Sequence, residues 1–203
     1  TVRAAALSTS ASIVIGTSGT ATTAYKLSGT TSTSVSTLTT GFDLTTTATW
    51  FMAQASPGSG PALFATRGTV GTLLWRTADG TSVTTVTRPD STHYLGGLAW
   101  DSDQSLFVSC TDNSGTLAFY SSADGITWGA MSGPAQPAGV TITGNFQFDI
   151  CMGIWFIAGN QITTTNQCKG NGTSLVTTLL FSLDHGQTWA VADLDMLTPS
   201  AGQ

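Results

Sequence analysis

The chain has 203 residues and a mass of 20.8 kDa, enough to bury a core in one large domain or two small ones. Only 8% of its residues are charged, all 11 acidic residues are Asp, and 38 Thr and 22 Ser stand beside two Lys and no Glu, which excludes a mainly helical fold. A hydrophobic content of 40% and a mean hydropathy of +0.17 exclude disorder, so the class expected is all-β.

The formal net charge is -5, and the six basic residues (Arg3, Lys26, Arg67, Arg76, Arg88 and Lys169) are scattered. Without a basic stripe, neither nucleic acid nor an anionic membrane surface is expected as a partner. The longest apolar stretch, residues 150–158, is about half the ~20 residues of a membrane helix and reads as a buried strand. Residues 13–15 are too short for a signal-peptide core. Because the chain begins with Thr, removal of an initiator Met or a longer leader is expected. Cys110, Cys151 and Cys168 have no C-x-x-C spacing, so Cys110 and Cys151 are expected as small buried hydrophobes and Cys168 as a loop thiol.

In chain order, short apolar runs recur: IVIG at 13–16, WFMA at 50–53, LFVS at 106–109 and WFIA at 155–158. Each is followed by a second run that ends in a turn: AYKLSG at 24–29, LLWRTADG at 73–80, LAFYSSADG at 117–125 and LLFSLDHG at 179–186. The unit is roughly 50 residues, and a single domain over 1–203 divides into 1–44, 45–92, 93–140 and 141–203. Short strands and hydroxyl-rich turns in units of this size predict a small β-propeller-like fold of about four blades. Residues 1–44 have an alternative reading as an arm or linker, with three blades following and closure supplied by another chain.

The turns carry the most specific motif. Residues 182–189 (SLDHGQTW) read S-x-D-x-G-x-T-W without a mismatch, through Ser182, Asp184, Gly186, Thr188 and Trp189. Residues 121–128 (SSADGITW) nearly match, with Ala123 in the usual Asp position, the Asp displaced by one to Asp124, and Gly125, Thr127 and Trp128 following. Residues 77–83 (TADGTSV) are a weaker copy with Asp79 and Gly80, Val83 where Thr would stand, and no Trp. Residues 28–30 are at best a remnant. In such a hairpin Asp and Ser oxygens satisfy backbone N–H groups, Gly takes a positive φ and Trp supplies buried area. The motif resembles the Asp-box of bacterial neuraminidases and other propeller proteins. That resemblance implies boxes at the blade periphery, with a structural rather than a catalytic role.

A sialidase site does not come with it. Such a site uses an Arg triad, a Tyr nucleophile paired with a Glu, and an Asp acid/base. This chain has no Glu and only Tyr25, Tyr94 and Tyr120. A glycosidase built on two of Asp43, Asp79, Asp90, Asp101, Asp103, Asp112, Asp149, Asp193 and Asp195 is the remaining enzymatic reading, and no pair stands out. His93 and His185 have no evident orienting partner, and His185, at a free position of the box, is expected to be exposed. Asp101, Asp103 and Asp112 mimic calcium-loop spacing, but Leu106 stands where that loop needs Gly. A solvated turn is expected there, and no metal or cofactor.

Low charge, abundant hydroxyls and aromatic-rich repeats also resemble the exterior proteins of tailed bacteriophages: tail fibres, tail tips and capsid decoration. The resemblance implies a non-enzymatic structural protein at the virion surface, present as a homo-oligomer, docked on other virion subunits and serving host attachment or assembly. A host surface glycan is the candidate ligand. Tyr94, Trp75 and Trp100 are candidates for stacking on a sugar, with core or inter-blade packing as the alternative. The competing class is a carbohydrate-active or carbohydrate-binding protein, either a degenerate sialidase-like glycosidase or a secreted adhesin.

Overall fold

A computed structural model describes residues 2–6, 11–18, 21–37, 50–56, 60–66, 73–78, 80, 82–113, 115–134, 136, 140–142, 146–159, 162–164 and 178–193. All regular structure among them is β. The first sheet holds β1 (Val2–Ala6), β2 (Ala11–Ser18), β3 (Ala21–Ser28) and β4 (Thr31–Thr37), and the second holds β5 (Trp50–Gln54), β6 (Ala62–Thr66), β7 (Leu73–Thr77) and β8 (Thr84–Thr87). The third is built from β9 (Tyr94–Asp101), β10 (Leu106–Asn113), β11 (Thr116–Ser122) and β12 (Gly129–Ala130). A short ladder of β13 (Val140–Ile142) and β16 (Ile162–Thr164) accompanies the fourth sheet, which contains β14 (Phe146–Cys151), β15 (Ile154–Gly159), β17 (Thr178–Ser182) and β18 (Ala190–Asp193).

In each sheet successive strands are antiparallel neighbours, the meander of a propeller blade. The first strands of the four sheets lie side by side in the order β1, β5, β9, β14. Strands β9 and β14 run parallel and meet where Phe148 faces Gly97, fusing the third and fourth sheets. Glycine is needed there, because a Cβ on Gly97 would run into the Phe148 backbone. The fold is therefore all-β and propeller-like, with four blades in the described residues.

The core lies between the blades. Alternation along each strand sends one set of side chains forward, toward the next sheet, and the other set back. The second sheet's forward face (Ala53, Leu63, Ala65 and Leu74) is buried against Leu95, Leu98 and Phe107 of the third, with Trp100 and Trp128 at its margin. The third sheet's forward face (Ala99, Val108, Cys110 and Phe119) meets Phe146, Phe148, Trp155 and Ile157 of the fourth, with Trp189 packed alongside. Both interfaces set a forward face of mostly small and aliphatic side chains, with Phe51 in one and Phe119 in the other, against a backward face rich in aromatic rings. The Phe119 and Trp189 rings stack at 6.0 Å. Full burial of each large side chain contributes roughly 1.5–3 kcal/mol.

Three sequence expectations change. The WFMA run at 50–53 is the first strand of its sheet, whereas the runs at 13–16, 106–109 and 155–158 lie in second strands, so their true counterpart is β6. The apolar stretch 150–158 is not one strand. It is a hairpin that turns at Met152 and Gly153, both at positive φ, with Met152 94% exposed. Its periodicity hides the turn because the turn itself carries an apolar side chain. Cys151 is consequently exposed, while Cys110 is buried. Cys168 lies outside the described residues.

Candidate functional site

The boxes occupy the turns after the third strand of a blade. In the fourth blade the buried Ser182 hydroxyl accepts the Gly186 N–H at 2.8 Å and donates to Asp184 at 2.8 Å. Asp184 Oδ1 accepts the Thr188 N–H at 2.8 Å, and Oδ2 accepts the Thr188 hydroxyl at 2.6 Å. The Thr188 hydroxyl and N–H, with Ser182, hold the Asp184 carboxyl down at about 2.

The third blade uses the same bonds in a turn one residue shorter. The Gly125 N–H donates to Ser122 at 2.8 Å, and Asp124 Oδ1 accepts the Ile126 and Thr127 N–H groups at 2.8 and 2.9 Å. Those two backbone bonds lower the Asp124 carboxyl. Ser122, not Ser121, therefore matches Ser182, and Asp124 is the box Asp in place. The missing residue is the one between Asp and Gly. In the second blade the Gly80 N–H donates to the buried Thr77 hydroxyl at 2.8 Å. This sets Thr77 in the Ser position, so that Ser82 aligns with Thr127 and Val83 with Trp128. Asp79 lies outside the described residues. In the first blade Ser28 and Thr31 pair directly across a two-residue turn at Gly29 and Thr30.

The residue that the shorter turn lacks is His185. It sits at φ 56, unusual for a residue with a Cβ, and this backbone aims its ring at the third blade. Asp101, at the end of β9, is fully buried and receives the His185 Nδ1 and the Trp155 indole N–H, both at 2.9 Å. The backbone N–H groups of Asp103 and Gln104 and the Gln104 side chain complete its shell. Burial pushes the Asp101 carboxyl up, but the bonds from Trp155, Gln104 and His185 outweigh it and leave it below the usual range. His185 thus has an orienting partner that the sequence does not reveal. The shorter third-blade box has a different link to its neighbour, from the Arg76 guanidinium to the Asp124 carbonyl at 2.9 Å.

A second polar cluster lies at the opposite end of β9, on the connection from the second blade to the third. Asp90 Oδ2 is 2.6 Å from His93 Nδ1, and Oδ1 accepts the Thr92 N–H and hydroxyl at 2.9 and 2.8 Å. The hydroxyls of Thr111 and Tyr120 approach Asp90 Oδ2 at 3.4 Å, and the buried Arg88 donates to the His93 carbonyl at 3.0 Å. Burial raises the Asp90 carboxyl, but bonds from Thr92 and His93 overcome this and hold it at about 2. The Tyr120 phenol is raised by burial and by the Asp90 charge beside it. An imidazole held through Nδ1 by a carboxylate has its tautomer fixed and offers Nε2 to a ligand or proton donor. His93, about one-third exposed, is so placed. Neither histidine therefore lacks an orienting partner, contrary to the sequence expectation.

No family model matches the chain, and no curated protein matches it. Among solved structures, the crystal structure of the GH74 enzyme of Niastella koreensis is similar at 16% identity and a TM-score of 0.45, covering 93% of this chain and 37% of that one. The chain thus spans a little over a third of that enzyme's length.

Of the predicted stacking residues, only Tyr94 is open, at 47% exposure. Trp75 is buried and Trp100 packs edge-on against Phe107 at 4.8 Å, because alternation turns both rings into the blades. Trp128 and Trp189 pack at blade interfaces. Asp101 and Asp112 stand at opposite ends of the β9/β10 hairpin, about 20 Å apart at the rise of an extended strand, so they do not converge on one cation. The Asp101–His185 and Asp90–His93 pairs escaped sequence reasoning. The first joins residues 84 positions apart, and only the three-residue spacing of the second was there to be read.

Proposed function

We propose that this chain is a non-enzymatic structural protein displayed at a virion surface, as a tail-fibre, tail-tip or capsid-decoration subunit that serves attachment or assembly. It docks on other virion subunits and presents a hydroxyl-rich face to neutral host glycans. The observation that carries this reading is how the carboxylates are employed. Asp90, Asp101, Asp112, Asp124 and Asp184 each accept a backbone N–H in or beside a turn. Such groups hold loops in shape, whereas glycoside hydrolysis requires two carboxyls facing one bond. A hydrolysis screen on sialosides and bacterial surface polysaccharides tests the reading. The expected result is no turnover above buffer, and sustained turnover that is lost on substituting an Asp would overturn it.

A carbohydrate-binding or degenerate glycosidase reading draws on one observation, the Asp90–His93 pair with its ring partly exposed. It predicts glycan binding that His93→Ala removes while the melting temperature stays within a few degrees.

A further inference from the structure

On its second and third strands the fourth sheet's forward face repeats the face that the third sheet buries, while on its first strand the exposed Gln147 and Asp149 stand where the third sheet has Gly97 and Ala99. Ser122 pairs with Phe107 and Ser182 with Trp155, which aligns the two blades. Phe156, Ala158 and Leu179 then correspond to Val108, Cys110 and Phe119, all buried between blades. Their counterparts in the second sheet, Leu63, Ala65 and Leu74, are buried as well. In the fourth sheet the three positions are only half-buried, Phe181 continues the patch in register with Phe156, and the exposed Cys151 stands at its edge. Among the described residues no strand pairing joins β14 to β1.

At the other end of the row Ile13 is fully buried. Alternation along β2 therefore turns Val14, with Tyr25 opposite it in register, to the first sheet's other side, and Tyr25 is 39% exposed. An aromatic ring on a backward face is what both formed interfaces use, through Phe107 and Trp128 in one and Trp155 and Trp189 in the other.

We propose that the forward face of the fourth sheet is an inter-blade socket filled by the first sheet of a second copy of this chain, so that two chains close head to tail. A head-to-tail contact forms a ring when its rotation closes. Two copies of four sheets make eight blades, at the upper end of the roughly four to eight that propellers commonly use. The inference is independent of the virion reading, since it requires neither host nor ligand.

Sedimentation equilibrium on the full chain over a micromolar range is the test. A species of twice 20.8 kDa is expected. Phe156→Asp and Tyr25→Asp should each give single chains with unchanged far-UV circular dichroism. An equimolar mixture should restore a two-chain species, because each variant keeps the face that the other has lost. A wild-type chain that stays at 20.8 kDa at every concentration overturns the proposal, as does a two-chain species that Phe156→Asp leaves intact or single chains that fail to complement on mixing. If the variants do not fold, alkylation of the wild type read by peptide mass at Cys151 decides. Labelling should slow several-fold as concentration rises, and a concentration-independent rate overturns the socket.

Discussion

Asp101 and His185 are 84 residues apart, and their side chains meet at 2.9 Å across the boundary between the third and fourth blades. The carboxylate is fully buried and the imidazole about one-third exposed. The pair is thus a clasp with one end in the core and the other at the surface, placed by the extra left-handed residue of the fourth blade's turn. A buried carboxylate is tolerable only when its oxygens are satisfied, and here two blades share that task.

Removing the clasp should destabilise unequally from its two sides. Asp101→Ala leaves the buried Trp155 indole N–H without its acceptor, along with the backbone N–H groups of the exposed Asp103 and Gln104, and should cost about 3 kcal/mol, the upper end of the roughly 1–3 kcal/mol for one buried orphan. His185→Ala removes a partly exposed donor and should cost about 1 kcal/mol. Urea denaturation of the two variants and their double mutant gives both values and the coupling between them.

The two tryptophans of the fourth blade should respond differently to Phe. Trp155 donates to Asp101, whereas the Trp189 indole nitrogen has no hydrogen-bond partner. Trp155→Phe should therefore lose a charge-assisted bond of about 1.5–3 kcal/mol, and Trp189→Phe only the packing of the smaller ring. Thermal melts of both variants measure the gap, and equal losses would contradict the assigned bond.

Acid should weaken the fold through Asp90 and Asp101. Both folded-state carboxyls lie below the ordinary range, Asp90 at about 2. Between the folded and unfolded values the unfolded chain binds more protons, so stability rises with pH. The contribution is complete above about pH 5 and is lost progressively as pH falls through 4 to 2 and below. Asp90→Asn with Asp101→Asn should make this limb shallower in denaturant titrations between pH 6 and pH 2, leaving the part that the lowered Asp124 and Asp184 carboxyls contribute.

Glycine substitutions separate strain from crowding. Gly29→Ala meets open space at φ 59, so it should cost only the left-handed penalty of about 1–2 kcal/mol. At Gly186, φ is 84 and a Cβ would lie 2.9 Å from Pro134 Cβ and 3.0 Å from the Trp155 ring. Gly186→Ala should therefore cost about 1–3 kcal/mol more, from overpacking. Chemical denaturation of the two variants compares them directly.

The repeat, the all-β class and the turn chemistry were legible because they are local. Hydroxyl-rich composition, runs recurring about every 50 residues, and Ser, Asp and Gly at fixed offsets all act over a few residues. The same locality set the limits. Ser122 could be matched to Ser182 only through hydrogen bonds, because a one-residue difference in turn length shifts every later box position. Apolar periodicity could not separate the first strand at 50–53 from the second strands elsewhere, nor reveal the turn inside 150–158.

What the sequence by itself determined was the architecture: sheets of short strands in a row, closed by turns whose oxygens answer their own backbone. What only the tertiary structure decided was which side chains those sheets face. One residue of register reverses every side chain of a strand. Sequence alone therefore could not bury Trp75, open Cys151, or bring His185 to Asp101 and His93 to Asp90. The physical reason is that hydrogen bonds inside a turn are specified by neighbours in the chain. Contacts between blades depend on the packing of whole sheets, which is summed over residues far apart.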